Sequence, residues 1–306
     1  MNREPAGRTA LRATRSLLVI WSVLLTAPVP ASEPTLPDGV WGGEKTRPSN
    51  GLPDGGISTF KNSDGRVLAT WYGSPTKRYR HGILGDAIEA GSLHVELKDG
   101  RRYSLVLPET QVFEDRTPRL VDLDGDGNAE ILTIRSDQRT GASVSLYGIK
   151  NDQLLELAST KAIGRPNRWL NIAGVEDYAG RGQPQIAYVE TPHIGGTLHF
   201  VEWRGNKLVP FASLAGFSNH KIGSRHQVLS GDIDFNSDML PDLAVPSNDR
   251  KTLRIVGFQK GSLQELGRIS LPSPIKTRTG PETDKPEDCL HFRLENQEVV
   301  GVCPPD

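Results

Sequence analysis

Leu120-Val-Asp-Leu-Asp-Gly-Asp-Gly-Asn-Ala-Glu-Ile-Leu-Thr-Ile134 recurs twice further along the chain, and that recurrence organises the rest of the sequence. The second copy is Gly174-Val-Glu-Asp-Tyr-Ala-Gly-Arg-Gly-Gln-Pro-Gln-Ile-Ala-Tyr-Val189, and the third is Gly231-Asp-Ile-Asp-Phe-Asn-Ser-Asp-Met-Leu-Pro-Asp-Leu-Ala-Val245. Aligned on Glu130, Gln185 and Asp242, the copies lie 55 and 57 residues apart. Each runs into two β-rich segments joined by a short polar turn: 142–149 with 153–157, 196–203 with 207–212, and 252–258 with 262–269. A unit therefore holds four strands, one before the Asp-rich loop, one after it, and a hairpin. An upstream fourth copy is expected at 56–60, 66–72, 92–97 and 103–107. Tandem four-stranded units are the sequence mark of β-propeller blades. The expectation is an all-β propeller of about four to five blades over residues 56–270, closed by N- and C-terminal strands.

Composition agrees with a turn-rich β protein: 32 Gly and 22 Pro stand against 2 Met in 306 residues. Lys+Arg (36) nearly balance Asp+Glu (37), which argues against nucleic acid as a partner, since that footprint is an excess of basic residues. The first residues carry Arg3, Arg8, Arg12 and Arg15, then the apolar run Leu17–Leu25, then Ala27-Pro-Val-Pro-Ala-Ser32. That is a secretory signal over residues 1–31, cut after Ala31. A run of about ten apolar residues is too short to span about 30 Å of hydrocarbon. No transmembrane segment is expected in the mature chain, whose address is periplasmic or extracellular. Losing residues 1–31 removes four Arg and one Glu, taking the formal net charge from −1 to −4. Residues 32–55, rich in Pro and Gly, are expected to be flexible, and 271–288 to be a linker. Cys289 and Cys303 flank two alternating runs that meet at Asn296-Gln297, a hairpin over 289–306 that a disulfide can close.

Asp122-x-Asp124-x-Asp126-Gly-x-x-Glu130 puts a side-chain oxygen at every second residue of a tight loop, with the carbonyl of Asn128 completing the set. Hard oxygens in a flexible shell suit Ca²⁺ better than Mg²⁺, which keeps its waters. An EF-hand shares the opening spacing but needs an acid at position twelve and flanking helices; here the acid is ninth and strands flank. The third loop keeps the ligands as Asp234, Asn236, Asp238, the carbonyl of Leu240, and Asp242. The second loop has Ala179 and Arg181 where the acids were, and its guanidinium is expected to bridge Asp177 and Gln185 in place of a metal. Two structural calcium sites are the expectation, each pinning a turn.

These repeats, Asp122–Glu130 and Asp234–Asp242 most clearly, resemble the FG-GAP/VCBS repeats of integrin α-chain propellers and of many bacterial secreted proteins, over roughly residues 56–270. The resemblance implies calcium in the loops, a β-propeller, and in most members a binding module. Members typically carry seven blades, which at this repeat length need about 400 residues. Only 275 follow residue 31.

The remaining chemistry sits in four connecting loops, 77–86, 164–171, 190–196 and 217–226. Arg80, His81, Arg168, Trp169, Asn171, His193, Asn219, His220 and Arg225 are expected to line a polar funnel for an anionic or sugar-like ligand. His81, His193 and His220 are alternatively a metal cluster, or an acid/base pair with Asp86 or Glu190. The chain has no Gly-x-Ser-x-Gly, His-Glu-x-x-His, P-loop or Gly-x-Gly-x-x-Gly. The leading functional expectation is a non-catalytic binding module for a protein or glycan. The alternatives are a propeller hydrolase or lyase on polysaccharide or phosphate esters, and a structural part of an envelope assembly.

Overall fold

The computed structural model describes residues 51–60, 66–280 and 289–305. The expected signal (1–31), most of the Pro/Gly-rich segment (32–50) and the end of the expected linker (281–288) lie outside the described residues, as does any closing strand contributed from before residue 51. The described chain is all-β, with no helix, and no helix is long and apolar enough to cross a membrane.

The first strands are β1 (Ile57–Thr59), β2 (Val67–Thr76), β3 (Glu89–Leu97) and β4 (Arg102–Val106), each antiparallel to the one before. A short strand β5 (Gln111–Phe113) follows. Three further antiparallel meanders come next. The first is β6 (Arg119–Val121), β7 (Glu130–Asp137), β8 (Gly141–Lys150) and β9 (Gln153–Ser159). The second is β10 (Leu170–Glu176), β11 (Gln185–Glu190), β12 (Thr197–Arg204) and β13 (Lys207–Ala215). The third is β14 (Gly231–Ile233), β15 (Asp242–Pro246), β16 (Thr252–Gln259) and β17 (Ser262–Ser270). A three-stranded group, β18 (Ile275–Thr279), β19 (Leu290–Leu294) and β20 (Val299–Val302), ends the described chain. Because β5 pairs with both β3 and β7, and β9 meets β13 at one parallel pair, the first thirteen strands form one continuous mixed sheet; β14–β17 and β18–β20 are separate sheets.

The middle strands read as unbroken apolar runs because both of their faces are covered. Along a strand, successive side chains point to opposite sides. Ile131 packs with Tyr72, Phe113 and Tyr147, toward β1–β5, while Leu132 packs with Trp169, Leu170 and Tyr188, toward β10–β13. Leu243 and Ala244 divide in the same way between β10–β13 and β18–β20. Four apolar layers thus lie between successive groups. The fourth strands are covered less completely, and β4 and β17 alternate between exposed and half-buried positions. The repeat extends to irregularities: the last two strands of three groups slip register at Leu146/Tyr147, Phe200/Val201 and Ile255/Val256, the same place in each.

Two boundaries differ from the sequence reading. The expected linker contains β18: Ile275 is fully buried against Phe292 and Leu294, and 275–279 pairs with β19. Pro and Thr there suggest a tether, yet one buried Ile in an alternating run is enough for a strand. The end of the expected flexible segment is also fastened, since Leu52 is buried and its N–H donates to Tyr72 O at 3.1 Å.

Cys289 and Cys303 are joined. Leu290 pairs with Val302 across β19 and β20, so the flanking cysteines face each other with their Cα atoms 4.3 Å apart. Closing a loop of that length is expected to stabilise the chain by about 3 kcal/mol. The double substitution Cys289→Ser, Cys303→Ser should lower the unfolding free energy by that amount and move the denaturant midpoint down, and a thiol reductant should do the same to the wild type. An unchanged midpoint in both would show that the hairpin holds without the bridge.

Candidate functional site

Antiparallel alternation sends the connections of each group to two ends. Turns between first and second strands share one end with the hairpin turns, while connections from second to third strands, and from group to group, lie at the other. The Asp-rich loops are at the first end and the His/Arg-rich loops at the second.

In the loop between β6 and β7, Asp122, Asp124 and Glu130 bring ligand atoms within 4.8 Å of one another. The carboxylate of Asp122 accepts the N–H groups of Gly125 (2.8 Å) and Gly127 (2.9 Å), and Glu130 accepts Leu123 N–H at 2.9 Å. Asp126 turns one oxygen to Asn128 N–H at 2.7 Å. The loop between β14 and β15 repeats the pattern. Asp234 accepts Asp238 N–H (3.1 Å) and Met239 N–H (2.9 Å), Asp238 accepts Leu240 N–H (2.9 Å), and Asp242 accepts Phe235 N–H (3.0 Å). Asn236 accepts Asp238 N–H at 3.1 Å. The backbone conformation also matches: Gly125 and Gly127 are left-handed, and so are Ser237 (φ 60°) and Met239 (φ 66°) at the same positions. Burial and neighbouring carboxylates push the closing acids up, Glu130 to about 7 and Asp242 to about 6.

The middle loop, between β10 and β11, corrects the sequence reading. Arg181 does not bridge Asp177 and Gln185; it pairs with Glu202 and lies over the Phe211 ring at 4.5 Å. Instead Gln185 donates its own amide to Asp177 Oδ1 (3.0 Å) and to the carbonyl of Gln183, while accepting Ala179 N–H at 2.9 Å. Gln183 holds the position of Asn128 and Leu240. An N–H donor in this loop therefore contacts the carboxylate and carbonyl that the other two loops would offer a cation.

At the other end the four His/Arg-bearing loops do meet. Gly223 N–H donates to Ile83 O (2.9 Å), Asn171 Nδ2 to Asn219 O (3.1 Å), and His193 lies 2.9 Å from His220. The expected funnel residues divide by role. Asn171 and Asn219 are fully buried and spend their amides on the backbone, at Gln227 O and at Asn171 O and Ile172 O. They latch β10 to the 217–227 loop and do not line a funnel. Trp169 is buried; its Nε1–H donates to Glu114 O (2.9 Å), and its ring stacks on His193 and meets His220 edge-on. Arg168 is half-buried and donates to Asn167 O (3.1 Å). Arg225 bridges Asp54 and Asp86, each at 3.1 Å, and Arg80 is exposed. His81 pairs with Glu114 at 2.6 Å and not with Asp86, and Glu190 lies by His199, not by the other histidines. Among the described residues the three-ligand grouping is at Asp122, Asp124 and Glu130, not at the histidines.

The sequence reading missed the acids beneath these loops. Glu114 and Asp115 are fully buried. Glu114 accepts Ser136 Oγ at 2.5 Å besides His81; Asp115 accepts Tyr72 Oη (3.1 Å), Arg119 (2.7 Å) and Gln227 Nε2 (2.9 Å). Such bonds offset the desolvation of a buried carboxylate. Glu89 is 2% exposed, and burial together with Glu114 pushes its carboxyl up to about 9. Two adjacent acids following the apolar pair Val112-Phe113 were the available signal.

His193 and His220 are pushed down, to about 4 and about 3, chiefly by burial. Both are neutral at physiological pH, which sets their tautomers. His220 Nε2 must donate to Ser224 O at 2.9 Å, so its Nδ1 accepts from His193 Nε2–H, and His193 Nδ1 keeps a lone pair. His193 borders a cavity of about 360 Å³ with Ser218, Lys221, Ile222, Asn248 and Arg250. Arg250 and Asn248 lie in Ser247-Asn-Asp-Arg250, an ordinary polar turn by sequence. No protein-family model matches the chain, and a search of curated proteins returns no match.

Glu89 keeps in the folded chain a proton that the unfolded chain releases between about pH 4.5 and 9, so its contribution falls as pH rises through that window. Glu89→Gln should raise the melting temperature at pH 8 and leave it unchanged at pH 4. A variant that melts lower at pH 8 would mean that the carboxylate is ionised and paired.

Proposed function

We propose that this protein is an exported, calcium-stabilised β-propeller that acts as a non-catalytic binding module. Five successive antiparallel groups with an apolar layer between each pair support the propeller, with the three-stranded group as the fifth blade. The disulfide is compatible with a periplasmic or extracellular address.

The donor sets fit Ca²⁺: hard oxygens at Asp122, Asp124, Asp126 and Glu130, and at Asp234, Asn236, Asp238 and Asp242, with the carbonyls of Asn128 and Leu240. The middle loop supports the same reading, because a side-chain amide there meets the carboxylate and carbonyl that would otherwise face a cation. Bound calcium would neutralise the clustered carboxylates and tie the first strand of a blade to its second, a structural role.

The observation that carries the binding reading is the His193–His220 pair beside the cavity. Two imidazoles held neutral and hydrogen-bonded to each other orient a lone pair; they are poorly placed to exchange protons near pH 7. The loops that hold them are latched by Asn171 and Asn219, so the cavity wall is pre-organised.

Calorimetric titration of chelator-stripped protein should find two calcium sites, and about a hundredfold excess over Kd should add about 2.7 kcal/mol per site. Gly257→Ala should remove one of them, since a Cβ there would collide with Asp242 Oδ1. Absence of binding heat and of any melting shift would sink the calcium reading.

A further inference from the structure

We propose that the cavity between loops 191–196, 217–222 and 247–251 captures the free C-terminal carboxylate of a peptide whose last residue is apolar. This ligand class rests on the binding-module reading above.

The charge balance calls for an anion. Lys221 Nζ and the Arg250 guanidinium both approach one oxygen, Oε1 of Glu295, at 3.0 and 3.3 Å. Two cations share one carboxylate, leaving one positive charge on the cavity wall. Arg250 is also under-used: its Nε–H is buried and has no acceptor. A buried donor without a partner is costly, and a small shift of the guanidinium toward a ligand oxygen would relieve it. The backbone holds this side chain in place at φ 57°, with Arg250 N–H donating to Ser247 O (2.8 Å) and Ile275 N–H to Arg250 O (2.9 Å). Glycine would occupy that conformation without strain, yet the position carries an arginine.

The other walls select among anions. His193 Nδ1 is an acceptor, suited to the backbone N–H of the residue that bears the carboxylate, and the Asn248 amide can donate to a second oxygen. Ile222 lines the cavity while 65% exposed. An exposed isoleucine on the wall that carries the cations fits an apolar side chain attached to a carboxylate, which is a peptide C-terminus. An acidic sugar would use the cations and His193 but leave Ile222 wet. Nor would it find an aromatic face, since Trp169 is 2% exposed.

The test uses a pool of hexapeptides randomised at the last three positions with free C-termini, and the same pool amidated. Trigalacturonate and inorganic phosphate serve as competing anions. Free-acid peptides with apolar last residues should be retained on the immobilised full-length protein, and amidation should weaken binding by about tenfold or more. Lys221→Gln, whose side chain is 55% exposed and thus safe for folding, should weaken it comparably, as should Arg250→Gln; Ile222→Ser should erase the preference for an apolar last residue. Equal retention of the amidated pool, no retention of either pool, or insensitivity to Lys221→Gln would overturn the proposal. Retention of trigalacturonate in place of peptides would overturn the ligand class while leaving the binding-module reading standing. Recovery of shortened peptides would keep the ligand class but end the non-catalytic reading.

Discussion

Burial of the middle strands on both faces is the constraint on which the other features depend. A sheet with one wet face can stand against a single layer, but Ile131 and Leu132, or Leu243 and Ala244, need apolar partners on both sides at once. Each group is therefore unfinished alone and is completed by its neighbours in sequence. Polar residues in the covered strands must find partners within the sheet, as Thr133 does at Ser145 O (3.1 Å). The shared register slips at Tyr147, Val201 and Val256 show how closely one local solution is repeated.

Once the faces are filled, only the ends remain for chemistry. The turns at one end hold clustered carboxylates, satisfied in part by the loops' own N–H groups. The connections at the other end hold a polar chain from Arg225 through Asp54 and Arg116 (3.1 Å) to the buried Asp115, which accepts Arg116 N–H at 3.0 Å. That network holds the loops in register, so side chains from separate groups can converge on one cavity wall.

Residue identity predicted some of these roles and misled on others. Asn171 and Asn219 looked like ligand-facing amides because they share loops with Trp169 and His220, yet each has an amide that a neighbouring backbone claims first. Arg181 looked like a substitute cation because it stands where an acid belongs. Its long side chain reaches instead to Glu202 and Phe211 on the adjoining strands, and the shorter Gln185 fills the loop. Glu89 and Glu114 are far apart in sequence, and their mutual influence exists only because β3 and the start of the 114–118 connection pack together.

The sequence by itself determined the all-β class, the four-strand unit, the loop pattern at Asp122–Glu130 and Asp234–Asp242, and the pairing of Cys289 with Cys303. These follow from period, spacing and short-range register, which act over a few residues and leave a local trace. Only the tertiary structure decided which acids are buried, which histidines stay neutral, and that Lys221, Arg250 and Glu295 share a corner with His193 nearby. Desolvation and charge coupling depend on what lies across a gap of a few ångströms. That neighbour comes from another group, dozens of residues away along the chain.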